Sequence, residues 1–243
     1  EFTQLDMELS FVDEAGVQDA AEGLVRAVFK DVLDADLPDP FPRMSWHDAL
    51  ETYGSDKPDL RYPMRLHSVD EHVKHLEFRV FSGPAVDEGQ RVAVLRVPGG
   101  ATLSRKQIDG YTDYVKRYGA KGLAWIKVND AGAGIEGLRS PVAKVLDDAA
   151  WSGIAATTGV ESGDILFFGS GEWLETSNFM GQLLVHCGAD LELAVEGWQP
   201  LWVTGFPMFE WDEDSGRFMA MHHPFTAPLT DSPGELNEDP AGA

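Results

Sequence analysis

The stretch RVAVLRVPGGATLSRKQIDGYTDYVKRYGAKGLAWIKV, residues 91–128, contains the pattern that decides the fold class. Its first seven residues, 91–97, predict a strand that ends in the turn PGG. Ser104 and Gln107 have the spacing of a capping box and predict the start of a helix. The apolar face of this helix consists of Ile108, Tyr111, Val115 and Tyr118. A near-continuous apolar run, 122–128, then predicts a buried strand, so one unit combines helix and sheet.

The same mixture continues on both sides of this stretch. EFRVF, residues 77–81, predicts a strand upstream, and DILFFG, residues 164–169, predicts a buried strand downstream. A helix is expected from about residue 176 to residue 193. PLWVTGFPMFEW and RFMAMHHPF then predict further strands.

Two helices are predicted nearer the N terminus. Asp13 caps one that runs to about Leu33, and its apolar stripe is expected to pack on a sheet. The stripe consists of Val17, Ala21, Leu24, Val25, Val28 and Val32. After a proline-rich turn, Ser45 predicts the cap of a short helix over 46–53.

The first eleven residues, EFTQLDMELSF, predict a strand with two different faces. Alternation places the apolar side chains of Leu5, Met7, Leu9 and Phe11 on one face. The other face has Gln4, Asp6, Glu8 and Ser10. An amide and two carboxylates in a row suit the floor of a pocket for a cationic or amino-bearing ligand, although an ordinary surface strand has the same pattern.

The charge of the chain is strongly negative but unevenly distributed. The net charge of -22 argues against nucleic-acid binding by the chain as a whole, because phosphate binding needs clustered Lys and Arg. Residues 91–144 nevertheless contain ten Lys or Arg against four Asp or Glu, whereas 190–243 contain eleven acidic residues and only Arg217. The basic stretch is interpreted either as a solvated face or as a surface facing RNA.

The sequence predicts a cytoplasmic protein that does not enter a membrane. No apolar run approaches the ~20 residues of a membrane span, and no signal peptide is recognised. Cys187 is the sole cysteine, so no internal disulfide is expected. Because the chain opens on Glu1 inside a strand pattern and closes on loop-like sequence, we expect an internal piece of a longer protein.

The histidines and the cysteine give little support for metal binding or nucleophilic catalysis. His222 and His223 are adjacent, so on a strand they point to opposite faces. His67, His72 and His75 approach a metal-binding spacing, but a solvated helix is the favoured interpretation, and no metal site is predicted. Cys187 lies on an apolar helix face, where a thiol is usually packing.

Several segments, in order, resemble bacterial-type aspartyl-tRNA synthetases, which are class II enzymes. The segments are EFTQLDMELSF, YGSDKPDLR, RVAVLRVPGGA, SRKQID, YGAKGLAWIKV, SPVAK, FPMFE and AMHHPFTAP. The resemblance implies an α+β fold, in which class II antiparallel-sheet catalytic-domain pieces flank an inserted α+β (GAD-like) domain. The predicted domains are a partial catalytic domain, 1–61, the insertion, 62–194, and a truncated return to the catalytic domain, 195–243. The last of these has Gly205 where the family commonly has aspartate.

The resemblance also implies an activity. A synthetase of this family activates L-aspartate with ATP and Mg²⁺ to aspartyl-adenylate and passes the aspartyl group to the 3′ end of tRNA(Asp). The sequence leaves open whether tRNA(Asn) is charged as well. The resemblance further implies a homodimer. Because the ATP-binding motifs of the family are missing from the sequence, the chain alone is expected to be inactive and to contain no catalytic residue.

By the same resemblance, five residues contact the substrates. Gln4 and Asp6 recognise the α-ammonium of aspartate, while His222 and His223 lie beside its carboxylate. Glu8 lies near the nucleotide and the metal ion. The alternative from a different class is a non-catalytic GAD-type module that binds tRNA or a protein partner, for which the basic stretch 91–144 is the natural surface.

Overall fold

The computed structural model describes residues 2–212, 215–221, 227–228, 232–238 and 240. The helices are α1 (Glu14–Leu33), α2 (Trp46–Tyr53), α3 (Asp70–Val73), α4 (Arg79–Ser82), α5 (Arg105–Lys116), α6 (Asp148–Thr158), α7 (Trp173–Asp190) and α8 (Pro233–Glu238). The strands are β1 (Arg43–Ser45), β2 (Leu66–Ser68), β3 (Gln90–Val97), β4 (Ala124–Val128), β5 (Leu138–Arg139), β6 (Ile165–Glu172), β7 (Trp202–Thr204), β8 (Phe209–Asp212) and β9 (Arg217–Ala220). The α+β class predicted from the sequence is confirmed.

A five-stranded antiparallel sheet forms the centre of the structure. Its strand order is β2-β3-β6-β4-β5. The longest pairing joins β3 to β6, with Gln90 opposite Glu172 and Val97 opposite Ile165. Both strands are mostly buried because helices cover the two faces of the sheet, as their near-continuous apolar sequences predict.

Alternation along β3 and β6 divides the core into two layers. The layer under α5 and α7 includes Ala93, Leu95, Ile108, Val115, Phe167, Met180 and Leu183. The layer under α3 and α6 includes Val73, Val92, Val94, Trp151, Ile154, Leu166 and Phe168. The sheet and its helices are thus one hydrophobic unit, which begins near Met64 and ends near Cys187.

The helix starts predicted from local sequence are confirmed. Asp13 accepts a hydrogen bond from the backbone N–H of Gly16 at 2.9 Å, and Ser45 accepts one from that of Asp48 at 3.0 Å. Ser104 and Gln107 form the complete capping box of α5. These contacts span three residues, so local sequence is enough to specify them.

The strand predicted for residues 77–81 is wrong, because α4 occupies this stretch. Phe78 and Phe81 lie three residues apart, a spacing that places both rings on one helix face. They contact each other edge to face at 5.0 Å, and Phe81 stacks on Phe168 at 5.3 Å. A strand would turn the two rings to opposite faces, so the contact between them favours the helix.

The opening strand and the packing of α1 also differ from the sequence-based expectation. Residues 2–9 pair with no strand in the part of the chain that the structure describes, and a strand needs a hydrogen-bonding partner. On α1, Val17, Val28 and Val32 are 45%, 49% and 74% exposed, so no sheet within the described residues covers the apolar stripe. The side of α1 that is buried has Gln18 and Glu22.

The flanking segments form two small sheets. Strands β1 and β7 pair in parallel, with Arg43 opposite Trp202, while β8 and β9 form an antiparallel hairpin. Parallel pairing needs a long connection, and here the connection is the whole five-stranded unit. Strand β7 is followed by Gly205, whose φ of +66° lies in the left-handed region that favours glycine.

Candidate functional site

The structure describes three of the five residues predicted to contact the substrates. The side chains of Gln4, Asp6 and Glu8 are exposed. None of them hydrogen-bonds or ion-pairs with the part of the chain that the structure describes. His222 and His223 lie outside the described residues. Their assignment to the aspartate site therefore stays a prediction.

The buried contact that positions the flanking segments is made by Glu22, which is 2% exposed. One carboxylate oxygen accepts a hydrogen bond from the backbone N–H of Phe41 at 3.0 Å, and the other accepts one from the indole of Trp202 at 2.8 Å. Arg43 lies 4.0 Å away. This charged side chain joins α1 to β7 and to the turn before β1, although it lies outside the apolar stripe that the sequence predicts.

The described residues do not by themselves fit a magnesium site. Among them, no group of three or more His, Cys, Asp or Glu side chains is placed to hold a metal ion. Glu8 offers one exposed carboxylate, whereas Mg²⁺ takes an octahedral set of oxygen ligands.

The three histidines between residues 67 and 75 have separate partners. His72 Nε2 lies 2.9 Å from Thr157 Oγ1, and His75 Nε2 lies 2.8 Å from Asp147 Oδ2. His67 is half-buried in β2, and burial, with smaller contributions from Arg65 and Arg96, lowers its pKa. Because α3 ends between His72 and His75, helical spacing does not bring these rings to one ion.

Cys187 is a packing residue in this structure. Its side chain is wholly buried in the layer under α5 and α7. Burial raises the pKa of its thiol, with a further contribution from the charge of Asp190. A buried, protonated thiol is a poor nucleophile.

The basic stretch 91–144 divides into cations with partners and cations without. Five have polar partners: Arg91 with Glu51, Arg96 with Asp164, Arg105 with Asp109, Lys116 with Asp113, and Lys127 with backbone carbonyls. The others form no salt bridge with the described residues: Lys106, Arg117, Lys121, Arg139 and Lys144. Five of the ten cations therefore have polar partners within the chain, and the local charge excess overstates the free positive surface.

Comparison with known proteins identifies the central unit. Residues 81–180 match the GAD domain. This range runs from α4 into α7. It includes helix α5 and all of strands β3, β4, β5 and β6. The structure therefore contains a GAD domain.

The relatives of the whole chain are aspartate–tRNA ligases. Those from Stenotrophomonas maltophilia (strain K279a), Xanthomonas oryzae pv. oryzae (strain MAFF 311018) and Xanthomonas campestris pv. campestris (strain B100) are 53%, 52% and 52% identical to it over 236 residues. Each comparison covers 97% of this chain and 40% of the relative. The chain is a homologue of aspartate–tRNA ligases and spans about 40% of the length of the curated relatives it matches, so the resemblance predicted from the sequence is confirmed.

Proposed function

We propose that the chain is part of an aspartate–tRNA ligase. The enzyme activates L-aspartate with ATP and Mg²⁺ to aspartyl-adenylate and transfers the aspartyl group to the 3′ end of tRNA(Asp), with or without tRNA(Asn). The observation that carries this proposal is the 53% identity to a ligase over 97% of the chain. We further propose that the enzyme is a cytoplasmic homodimer. Among the described residues, none of the helices has the length and apolar character to cross a bilayer.

Within the enzyme, we assign the aspartate contacts to the two ends of the chain. An ammonium group donates three hydrogen bonds and needs acceptors, which Gln4 and Asp6 provide. A histidine beside the substrate carboxylate donates a hydrogen bond or a positive charge, the role given to His222 and His223. Glu8 is assigned to the neighbourhood of the nucleotide and the metal ion.

We also propose a division of labour along the chain. Residues 1–61 and 195–243 contribute to the catalytic domain, and 62–194 form the insertion. The isolated chain is inactive, because Gln4 and Asp6 are exposed to water, where an ion pair or hydrogen bond with a small ligand contributes little.

A chimera tests this function directly. The 236 aligned residues replace their counterparts in the ligase from Stenotrophomonas maltophilia, and aspartate-dependent ATP–pyrophosphate exchange is measured for the chimera and for the isolated chain. We expect exchange from the chimera alone. A folded chimera without exchange would refute the ligase proposal and favour the non-catalytic GAD-type module instead. Exchange by the isolated chain would refute its inactivity.

The role of Asp6 is tested in the same chimera. Asp6→Asn removes the charge that faces the α-ammonium, so KM for aspartate should rise about tenfold or more. Asp31→Asn, an exposed carboxylate on α1 without an ion partner among the described residues, is the matched control and should leave KM unchanged. Equal KM values for the two variants would contradict the assignment of Asp6 to the aspartate site.

A further inference from the structure

We propose that the GAD domain has a pocket for a nucleoside phosphate, formed by Arg105, Trp125, Lys127 and Arg139. The pocket lies between the start of α5 and the β4–β5 edge of the sheet. It belongs to elements other than those that contain Gln4 and Asp6, so it is separate from the proposed aspartate site and does not depend on it.

The pocket is an open cavity of about 490 Å³. Trp125 and Lys127 alternate along β4 and therefore point to the same side of the sheet. Arg105 reaches the cavity from the first turn of α5, and Arg139 from β5. Ile108 and Pro141 supply apolar wall. An aromatic ring, apolar wall and three cations around one opening match a ligand that is both planar and anionic.

The aromatic wall is already stacked by a cation. The guanidinium of Arg105 lies over the ring of Trp125, 5.5 Å from its centroid, and forms a salt bridge with Asp109 at 2.9 Å. Trp125 is half-buried, so part of its ring faces the cavity. Unstacked bases bind to such surfaces, on the ring of Trp or on the plane of an Arg guanidinium.

Of the three cations in the pocket, only Arg105 has an acidic partner among the described residues. Lys127 and Arg139 are direct partners across the antiparallel β4–β5 pair, and like charges in that position destabilise a sheet. The ammonium of Lys127 donates to the carbonyl of Ala101 at 2.8 Å and to that of Leu103. Burial and the charge of Arg139 lower the pKa of Lys127. An anion between these two side chains would relieve their repulsion.

A structural role for the charges explains less. Cations on an edge strand prevent edge-to-edge association of sheets, and β5 is an edge strand of two residues. Edge protection requires neither an aromatic wall nor the inward ammonium of Lys127. The two explanations differ in what they predict for ligand binding.

The ligand has two possible sources, a free mononucleotide or an unstacked nucleotide of an RNA strand. The 243-residue chain is titrated with 5′-AMP and with single-stranded hexaadenylate, and adenosine and inorganic phosphate serve as partial ligands. Binding is followed by NMR at the indole N–H of Trp125, which is identified as the resonance that disappears in Trp125→Phe. This signal reports the pocket and not the proposed aspartate site.

Arg139→Gln is the test variant because the side chain is exposed and its removal leaves the core intact. Arg117→Gln is the matched control: it removes the same charge from the far end of α5, about 18 Å along the helix axis. We expect the titration of the Trp125 signal to show that 5′-AMP binds more tightly than adenosine or phosphate alone. Arg139→Gln should weaken binding about tenfold, and Arg117→Gln less than twofold.

The outcomes separate the two sources and the null result. Hexaadenylate that binds far more tightly than 5′-AMP, with an affinity that falls as salt rises, assigns the pocket to RNA. Similar affinities per nucleotide assign it to a free mononucleotide. A Trp125 signal that neither probe shifts, or an equal loss of affinity in both variants, overturns the proposal.

Discussion

The carboxylate of Glu51 in α2 accepts a hydrogen bond from the guanidinium of Arg91 in β3 at 2.8 Å. Arg91 is only 2% exposed and also donates to Ser177 Oγ at 2.8 Å. The second oxygen of Glu51 accepts a hydrogen bond from the indole of Trp173 at 2.7 Å. One side chain of α2 thus satisfies groups on β3 and α7. Because this contact crosses the proposed boundary after residue 61, we expect α2 to unfold together with the GAD domain.

Loss of the Glu51 carboxylate should be costly. Glu51→Ala leaves the buried cation of Arg91 without its counter-charge, and breaking a buried ion pair destabilises proteins by about 3 kcal/mol or more. Urea unfolding of the variant should show this loss in the free energy of unfolding. Glu136→Ala, which removes an exposed carboxylate without an ion partner among the described residues, is the control and should change stability little. Equal stability of the two variants would mean that water replaces Glu51.

A second contact between α2 and α7 depends on two glycines. A Cβ atom on Gly181 would lie 2.3 Å from the carbonyl oxygen of Gly54, so Gly181→Ala forces the two helices apart. We expect a loss of about 1–3 kcal/mol in unfolding free energy, although alanine is the better helix former.

The control for this prediction is Gly110→Ala in α5. A Cβ atom there meets nothing within 4 Å, so the substitution should stabilise the protein by about 0.5–1 kcal/mol. The two substitutions make the same chemical change in two different helices. Their effects on the free energy of unfolding, measured in urea, should have opposite signs. A stabilising Gly181→Ala would show that α2 moves freely on α7.

Local sequence predicted the capped starts of α1, α2 and α5 and the buried strands β3, β4 and β6 because their determinants are close in the chain. Ser104 and its partner Gln107 are three residues apart. The burial of Arg91 was not predictable in this way, since its partner Glu51 lies forty residues away and the local pattern is only a cation at the start of a strand. Likewise, the periodicity of α1 predicted an apolar stripe, but it could not predict whether other described residues pack on that stripe.

The same distinction applies to the candidate sites. Alternation in AWIKV already places Trp125 and Lys127 on one side of a strand. Arg139 joins them only through the register of the β4–β5 pair, which the sequence does not specify. For Gln4 and Asp6, alternation predicted a shared face, but no described strand supplies the hydrogen bonds that would fix it.

The cap of α6 should make stability depend on pH. Hydrogen bonds from the backbone N–H of Ala150 and then from His75 lower the pKa of Asp147 below its ordinary value of 3.8. A carboxylate with a lowered pKa in the folded state stabilises the protein above the unfolded pKa and loses this effect as pH falls through the folded pKa. In urea unfolding, the penalty of Asp147→Ala should therefore be present at about pH 5 and shrink below about pH 4.

Ser104→Ala is the control for this pH dependence. The hydroxyl of Ser104 caps α5 by accepting a hydrogen bond from the backbone N–H of Gln107 at 3.3 Å, and a hydroxyl does not titrate in this range. Its penalty should stay constant where that of Asp147→Ala shrinks. Parallel behaviour of the two variants would assign the acid sensitivity to carboxylates other than Asp147.

The thiol of Cys187 should be protected from alkylation while the protein is folded. It is wholly buried, and burial raises its pKa, so both the access of a reagent and the fraction of thiolate are reduced. Mass spectrometry at about pH 8 should show no adduct with iodoacetamide in native protein and one adduct per chain in urea. Cys187→Ser should show none under either condition. Alkylation of the native protein at the rate of the unfolded chain would mean that α7 opens readily from α5 and the sheet.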